Sequence, residues 1–205
     1  MGLLKELFGS NKEEIWRQLS SEIGANYVDG GFWGGSKVEV RTGEWTITLD
    51  TFTQTTSTGK SHSSTTYTRM RAPFVNKDSF RFTIYRKSIF SGIGKLFGMQ
   101  DVEVGYPEFD EDFIIKGNNE AKIRALFANP YIRELIQAQP SIYLEVRDDE
   151  GWFGKQFPEG VDELYFYTVG VIKDIERLKL LYALFAEVLN HLCHLDSAYK
   201  NDPNL

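Results

Sequence analysis

The residue types best suited to chemistry gather near the C-terminal end, where His191 and His194 flank Cys193. Imidazole and thiolate groups are preferred zinc ligands, and a cysteine beside a histidine can act as a nucleophile. A helical zinc site needs further ligands from elsewhere, and adjacent helical residues point in different directions. We therefore expect solvated histidines at a helix end, and we assign no metal, no cofactor and no catalytic residue here.

A second candidate is the acidic run Asp110, Glu111 and Asp112. Carboxylates bind hard cations such as calcium and magnesium, but the EF-hand spacing and its glycine are missing. Consecutive residues on a strand also alternate between its two sides. Three interpretations stay open: a cation site, a solvated acidic edge, which the pattern favours, and ion pairs with basic strands.

Other catalytic patterns are missing from the sequence. Gly92, Gly94 and Gly98 are not followed by the Lys-Ser or Lys-Thr pair of a phosphate loop, and their spacing does not fit a dinucleotide fingerprint. Neither a nucleophile elbow nor a zincin helix occurs. The sequence therefore favours a protein that is not an enzyme, without deciding the question.

The charge reverses sign in the middle of the chain. Residues 60–99 contain eight Lys and Arg against the single acid Asp78, whereas residues 100–120 contain seven Asp and Glu against Lys116 alone. Two adjacent segments of opposite charge either pair within the fold or present two surfaces to partners. Both alternatives remain open at this stage.

Composition limits the class of protein. The chain has 205 residues, 41% of them hydrophobic and 14% aromatic, with a net charge of −6. The aromatic content indicates a strand-rich core, and the negative charge argues against general binding to nucleic acid. Cys193 is the only cysteine, which excludes an intrachain disulfide. We expect a cytoplasmic protein, with peripheral contact at the inner face of the membrane as an option.

Hydrophobic periodicity predicts an α+β fold in one domain spanning residues 1–205. We expect a mostly antiparallel sheet of about seven strands, on which an N-terminal helix, two short central helices and a long C-terminal helix pack. The predicted helices cover 12–23, 119–128, 130–136 and 174–195, and the predicted strands 26–28, 37–41, 44–52, 67–74, 79–87, 112–116, 141–147 and 163–171. We expect residues 1–10 and 197–205 to be flexible ends, and the Ser/Thr-rich residues 53–66 to form a mobile loop.

One stretch shows a family resemblance. Residues 105–120 read Gly-Tyr-Pro-Glu-Phe-Asp-Glu-Asp-Phe-Ile-Ile-Lys-Gly-Asn-Asn-Glu, and Ile123, Leu126, Phe127 and Pro130 follow. This pattern resembles a bacterial family of uncharacterised proteins, a domain of unknown function, in which a Glu-Phe-x-x-x-Phe strand precedes an Asp or Asn turn and a helix ending in Leu and Pro. The resemblance implies a similar order of elements and supplies no catalytic residues.

These features predict a non-catalytic binding module. Alternation in residues 79–87 places Phe82 and Ile84 on a buried face and Arg81 on the solvent face. We expect a basic strand face to bind an acidic protein or an anionic membrane surface, through Arg69, Arg71, Arg81, Tyr85, Arg86, Phe90 and Phe97. The alternatives are an enzyme with a dispersed active site, a single-stranded nucleic-acid binder that uses Tyr67 and Tyr85 for stacking, and a self-associating structural subunit.

Overall fold

A single antiparallel sheet organises the described part of the chain. The computed structural model describes residues 11–30, 35–59, 61–88, 100–148, 157–201 and 203. In chain order these residues form α1 (Lys12–Ile23), β1 (Asn26–Val28), β2 (Lys37–Thr42), β3 (Trp45–Thr58), β4 (Ser61–Val75), β5 (Phe82–Arg86), β6 (Gln100–Asp101), α2 (Pro107–Asp112), β7 (Phe113–Gly117), α3 (Glu120–Ala128), α4 (Pro130–Gln137), β8 (Tyr143–Arg147), β9 (Val161–Val169) and α5 (Ile175–His194).

The nine strands are ordered β1-β2-β3-β4-β9-β8-β5-β7-β6 within the described residues, and each strand pairing is antiparallel. The N-terminal helix, the two short central helices α3 and α4 and the long helix α5 confirm the predicted α+β class. The sheet has nine strands rather than about seven. None of the helices in these ranges has the length and apolar character needed to cross a bilayer.

The helix boundaries follow from local chemistry. Helix α1 stops at Gly24, whose φ of 66° is left-handed and whose amide donates to the Ser20 carbonyl. Asn119 and Asp174 cap α3 and α5, because each side chain accepts a hydrogen bond from a first-turn amide. Asn11 occupies the N-cap position of α1, but its side chain makes no capping hydrogen bond.

The core lies between the helices and one face of the sheet. Apolar residues on alternate strand positions meet the apolar stripes of α1 and α5. The largest fully buried side chains include Trp16, Phe82, Phe127, Phe166 and Phe185. Because the strand period is two, the remaining strand positions point to the other face of the same sheet.

Residues 53–66, predicted as a mobile hairpin loop, do form a hairpin, but its two sides are regular strands. They continue β3 and β4, which pair from Thr48 and Arg71 out to Thr58 and Ser61. Threonine is β-branched and favours extended backbone, and Thr53 and Thr55 share hydroxyl hydrogen bonds of 3.0 Å with Thr66 and Ser64. The prediction was wrong because it required apolar alternation to recognise a strand.

Two further expectations need correction. Asp110, Glu111 and Asp112 lie on the short helix α2 rather than on a strand, and Pro107 occupies the first turn of this helix. Residues 197–199, which were predicted to belong to a flexible C-terminal end, pack against the fold. Ser197 and Ala198 are 1% and 7% exposed, and the Tyr199 amide donates a hydrogen bond to the Val75 carbonyl of β4. The other predicted flexible end, residues 1–10, lies outside the described residues.

Candidate functional site

The sheet face opposite the core carries a group of aromatic side chains. In β4, β8 and β9 the residues Met70, Leu144 and Phe166 point into the core, and their neighbours point the other way. Five of the rings on this second face come from four strands, and we call them the tyrosine face: Phe52, Tyr67, Tyr143, Tyr165 and Tyr167.

The rings of the tyrosine face contact one another in a continuous series. Phe52 and Tyr67 stack with centroids 4.9 Å apart and an interplanar angle of 11°. Tyr67 meets Tyr167 edge to face at 5.9 Å, and Tyr167 lies 4.7 Å from Tyr143 and 5.9 Å from Tyr165. Such pairs are favourable at about 0.5–1.5 kcal/mol each, so the arrangement of these side chains is largely preorganised.

A cavity of about 310 Å³ opens on this face. That volume is at the lower end of the range of about 300–1,000 Å³ that small-molecule sites occupy. Five of its eight lining residues are aromatic, and polar atoms supply most of the surface that they expose to the cavity. The cavity is lined by Phe52, Gln54, Tyr67, Tyr143, Glu145, Arg147, Tyr165 and Tyr167.

The charges that border the tyrosine face balance. Arg69 makes a bidentate contact with the Asp50 carboxylate at 2.8 and 2.7 Å, and Arg71 approaches the same carboxylate at 3.4 Å. Arg147 donates to the buried Glu163 at 2.8 Å from its Nε. With Glu145, which accepts from the Tyr143 hydroxyl at 2.9 Å, three acids face three arginines. This region is therefore polar without being basic.

Burial keeps three phenols of this face, those of Tyr143, Tyr165 and Tyr167, in their neutral form. It raises the pKa of Tyr143 above its usual range, and the neighbouring Glu145 carboxylate adds to the effect. Burial also raises the pKa of Tyr165 and raises the pKa of Tyr167 to about 12. At neutral pH these hydroxyls are therefore hydrogen-bond donors, and a negative charge on them is disfavoured.

The raised pKa values predict a loss of stability in alkaline solution. Above pH 10 the unfolded chain releases its phenolic protons while the folded protein keeps them, so the unfolding free energy falls as pH rises. The slope is up to about 1.4 kcal/mol per pH unit for each such tyrosine. Denaturant unfolding between pH 8 and pH ~11 is expected to show this decline, and Tyr143→Phe and Tyr167→Phe are expected to flatten it.

The matched control for this pH series is Tyr199→Phe, because Tyr199 is 47% exposed. This variant is expected to follow the wild-type curve. Tyrosinate absorbance supplies an independent measurement, since the buried phenols should ionise only together with unfolding. Ionisation of all tyrosines near pH 10 in the folded protein would contradict the assignment.

The structure does not gather the predicted binding residues into one basic face. Arg69 and Arg71 border the tyrosine face, whereas Arg81 pairs with Asp162 at 3.2 Å and with Asp148 at 2.9 Å. Arg86 continues the core-facing positions of β5, and its guanidinium lies 4.6 Å from the Phe113 ring centre. The arginines therefore point in different directions.

The aromatic residues of the predicted binding site, Tyr85, Phe90 and Phe97, do not form an exposed aromatic surface within the described residues. Tyr85 is 1% exposed and its ring stacks on Tyr143 at 6.1 Å, so it is not the exposed platform that the sequence predicted. Residues 82–85 of β5 are all buried, so side chains on both faces of this strand are covered. Phe90 and Phe97 lie outside the described residues.

The two segments of opposite charge pair only in part. Arg86 contacts the Asp112 carboxylate at 2.7 Å, and Lys87 donates to the Asp110 carbonyl at 3.0 Å. The Asp110 carboxylate accepts from the amides of residues 104–106 and so fixes the entry into α2. Arg69, Arg71 and Arg81 instead pair with acids outside residues 100–120. Contacts from distant strands therefore neutralise most of the predicted basic face.

The metal and nucleophile candidates lack the required geometry. In the ranges that the structure describes, no three His, Cys, Asp or Glu side chains come together as a metal-binding group. The His191 ring bonds the Ala125 carbonyl at 3.2 Å. Burial raises the pKa of Cys193, which is the opposite of what an activated thiolate needs.

No protein-family model and no curated protein matches the sequence. The crystal structure of the mycobacterial trehalose monomycolate transport factor A matches the structure with a TM-score of 0.52 and 6% sequence identity. The match covers 88% of this chain and 94% of that chain. The two proteins share a fold. At this level of identity the match concerns the arrangement of helices and strands and not the residues of a site.

A larger cavity of about 430 Å³ lies at the far edge of the sheet beside β6 and β7. Its polar wall contains four acids, but several of them already have partners: Asp110 accepts three backbone amides, Asp101 pairs with Lys116, and Glu120 pairs with Arg124. These side chains serve local structure. The tyrosine face is therefore the better candidate site.

Sequence reasoning named Tyr67 but missed Phe52, Tyr143, Tyr165 and Tyr167. A signal for two of them is present in the sequence, because Tyr165 and Tyr167 alternate with Leu164 and Phe166 in one strand. Such a strand has apolar or aromatic side chains on both faces. This pattern indicates that the second face is also largely covered rather than fully exposed to solvent. The pairing of β4 with β9 brings Phe52 and Tyr67 to the tyrosines of β8 and β9, and the sequence does not show that pairing.

Proposed function

We propose that this protein is a non-catalytic binding module whose tyrosine face holds the carbohydrate headgroup of a lipid. The observation that carries the proposal is the joined set of five rings around a cavity of about 310 Å³ with neutral phenols at its wall. Ligand sites combine aromatic walls with a small number of placed polar groups. The tyrosine face supplies both kinds of group, and polar atoms make up the larger part of its cavity surface.

Carbohydrate chemistry fits the groups on this face. A sugar ring presents C–H groups that pack on aromatic rings, and hydroxyls that both donate and accept hydrogen bonds. Phe52 and Tyr67 offer half-buried rings, the phenol hydroxyls donate, and the Glu145 carboxylate accepts. Because the bordering acids and arginines balance in number, the face favours a neutral polar ligand over an anionic one.

The fold comparison supports a lipid-linked form of such a ligand. The protein of similar fold is named as a transport factor for trehalose monomycolate, a lipid whose polar part is a disaccharide. The raised pKa values of the tyrosines and of Cys193 support a non-catalytic role, since a general base or nucleophile works best with a pKa near the working pH.

Vesicle co-sedimentation tests the proposal. The protein is expected to pellet with phosphatidylcholine vesicles that contain a diglycosyl lipid and to stay in solution with phosphatidylcholine alone. Truncating rings at the cavity with Phe52→Ala and Tyr67→Ala together is expected to weaken binding by roughly ten- to hundredfold, because two ring contacts at about 0.5–1.5 kcal/mol each contribute about 1–3 kcal/mol. Free trehalose is expected to compete.

Two controls define the outcome. Tyr131→Ala removes a ring that is 48% exposed on α4 and is expected to leave pelleting unchanged. Vesicles with phosphatidylglycerol in place of the sugar lipid test the anionic-surface alternative. Equal pelleting with sugar-bearing and plain vesicles would refute the proposal, and stronger pelleting with phosphatidylglycerol that Arg69→Glu abolishes would replace it with the basic-face hypothesis.

A further inference from the structure

The paired ends of β3 and β4 extend beyond the rest of the sheet. In the described residues β2 pairs with β3 only as far as Leu49, and β9 pairs with β4 only as far as Thr68. We call the two-stranded extension, residues 53–58 and 61–66, the arm. An isolated two-stranded ribbon has little stability of its own in water. Hydrogen bonding to a further strand would therefore stabilise the arm.

One contact shows which backbone groups point outward from the arm. The Thr66 carbonyl accepts from the Gly170 amide at 2.8 Å, so the Thr66 peptide groups are directed away from β3. In an antiparallel pair, inward and outward peptide groups alternate along each strand. The N–H and C=O groups of Ser64 and His62 therefore also point outward, while those of Ser63 and Thr65 bond to β3.

The outer edge of β4 lacks the usual protection against strand addition. Exposed edges are normally guarded by charged residues or proline. Residues 51–58 and 61–68 contain no Asp, Glu, Lys, Arg or Pro, and His62, Ser63 and Ser64 are exposed. Among the described residues, the pairing of this edge ends at Gly170, at the base of the arm.

We propose that the arm pairs with the arm of a second copy of this chain through the outer edges of β4. Antiparallel pairing of a strand with itself obeys two-fold symmetry, in which the same surface serves both partners. The Thr66 carbonyl already accepts a hydrogen bond from Gly170, so the pairing between the two copies uses the outward groups of His62 and Ser64. In the two-fold register that joins these residues, His62 of one copy lies opposite Ser64 of the other. The two arms then form a four-stranded sheet.

Charge explains why a second copy fits this edge. Each chain carries a net charge of −6, so surfaces of two copies repel where their bodies approach. The arm strands hold no Asp, Glu, Lys or Arg, and six residues extend about 20 Å from the sheet. That length exceeds the screening distance of about 8 Å at physiological salt. Pairing through the arms therefore brings uncharged strands together while the charged bodies stay apart.

Sedimentation velocity over a concentration series tests the proposal. The wild-type protein is expected to shift from monomer to dimer as its concentration rises. Ser64→Pro removes one outward N–H and no backbone bond to β3, although it also removes the Ser64 hydroxyl that bonds Thr55, and it is expected to abolish the dimer. Ser64→Lys places a charge on the same edge and is expected to do the same if the proline variant folds poorly. Ser64→Thr is the matched control and is expected to dimerise normally.

Hydrogen exchange adds a local measurement. The amides of His62 and Ser64 are expected to gain protection as the wild-type concentration rises, and those of Ser63 and Thr65 to change little. A wild-type protein that stays monomeric across the series would overturn the proposal. So would a dimer that persists in both Ser64→Pro and Ser64→Lys, because association would then use another surface.

Discussion

Replacing Trp16 by alanine is expected to lower the free energy of unfolding by about 3–5 kcal/mol, the range for removing a large aromatic side chain from a core. Trp16 is fully buried, and its indole N–H donates to the Ile172 carbonyl at 3.2 Å. This bond joins the first helix to the segment between β9 and α5. The alanine variant loses both the packing and the hydrogen bond, and urea denaturation measures the change.

Trp16→Phe separates the two contributions. Phenylalanine fills most of the space but leaves the Ile172 carbonyl without its donor, so a smaller loss of about 1–3 kcal/mol is expected. An alanine variant that loses less than about 1 kcal/mol would show that α1 contributes little to the core. The slope of the denaturation curve should stay constant if only stability changes.

The second large effect is expected at Gly117, where an added methyl group has no room. A Cβ at this position would lie 2.5 Å from Ile123 Cδ1 and 2.7 Å from the Arg81 carbonyl oxygen. Ile123 lies on α3 and Arg81 directly precedes β5, so the methyl group would force α3 or the backbone at Arg81 to shift. Gly117→Ala is expected to cost about 2–3 kcal/mol by overpacking.

Gly35→Ala is the matched control for Gly117→Ala. A Cβ at Gly35 would meet the Thr51 carbonyl at 3.7 Å, which is an ordinary contact. This variant is expected to be neutral or slightly stabilising, because alanine restricts the unfolded chain. Thermal unfolding of the two variants under one set of conditions compares them. Equal melting temperatures would show that β7 adjusts to the added methyl group.

Elements with a strong local signal were predicted closely. Helix α1 was expected at 12–23 and is Lys12–Ile23, and α5 begins after its predicted cap Asp174. Apolar residues at helical spacing and a capping or terminating residue act over a few positions, so they can be recognised in sequence. The strands within residues 53–66 were not predicted. Hydroxyl hydrogen bonds between the two strands join them, and hydrophobic periodicity does not detect such bonds.

The site was predicted less well than the fold because it depends on which strands become neighbours. β4 pairs with β9 and β8 lies between β9 and β5, although these strands are far apart in sequence. That order places Tyr67 beside Tyr167 and Tyr143, and it forms the cavity. It also supplies Asp50, Asp148 and Asp162 as partners for the arginines that the sequence had assigned to a basic face.

Residue patterns along the chain were enough to predict α1, α3, α4 and α5, the α+β class and the two faces of each core strand, because these depend on neighbouring residues. Only the tertiary structure decided which charges meet and which rings share a surface, because those contacts join strands distant in the chain. The reversal of charge between residues 60–99 and 100–120 was visible in the sequence. The strand order decides which acids neutralise the arginines of residues 60–99, and it places aromatic rings beside these ion pairs on one face of the sheet.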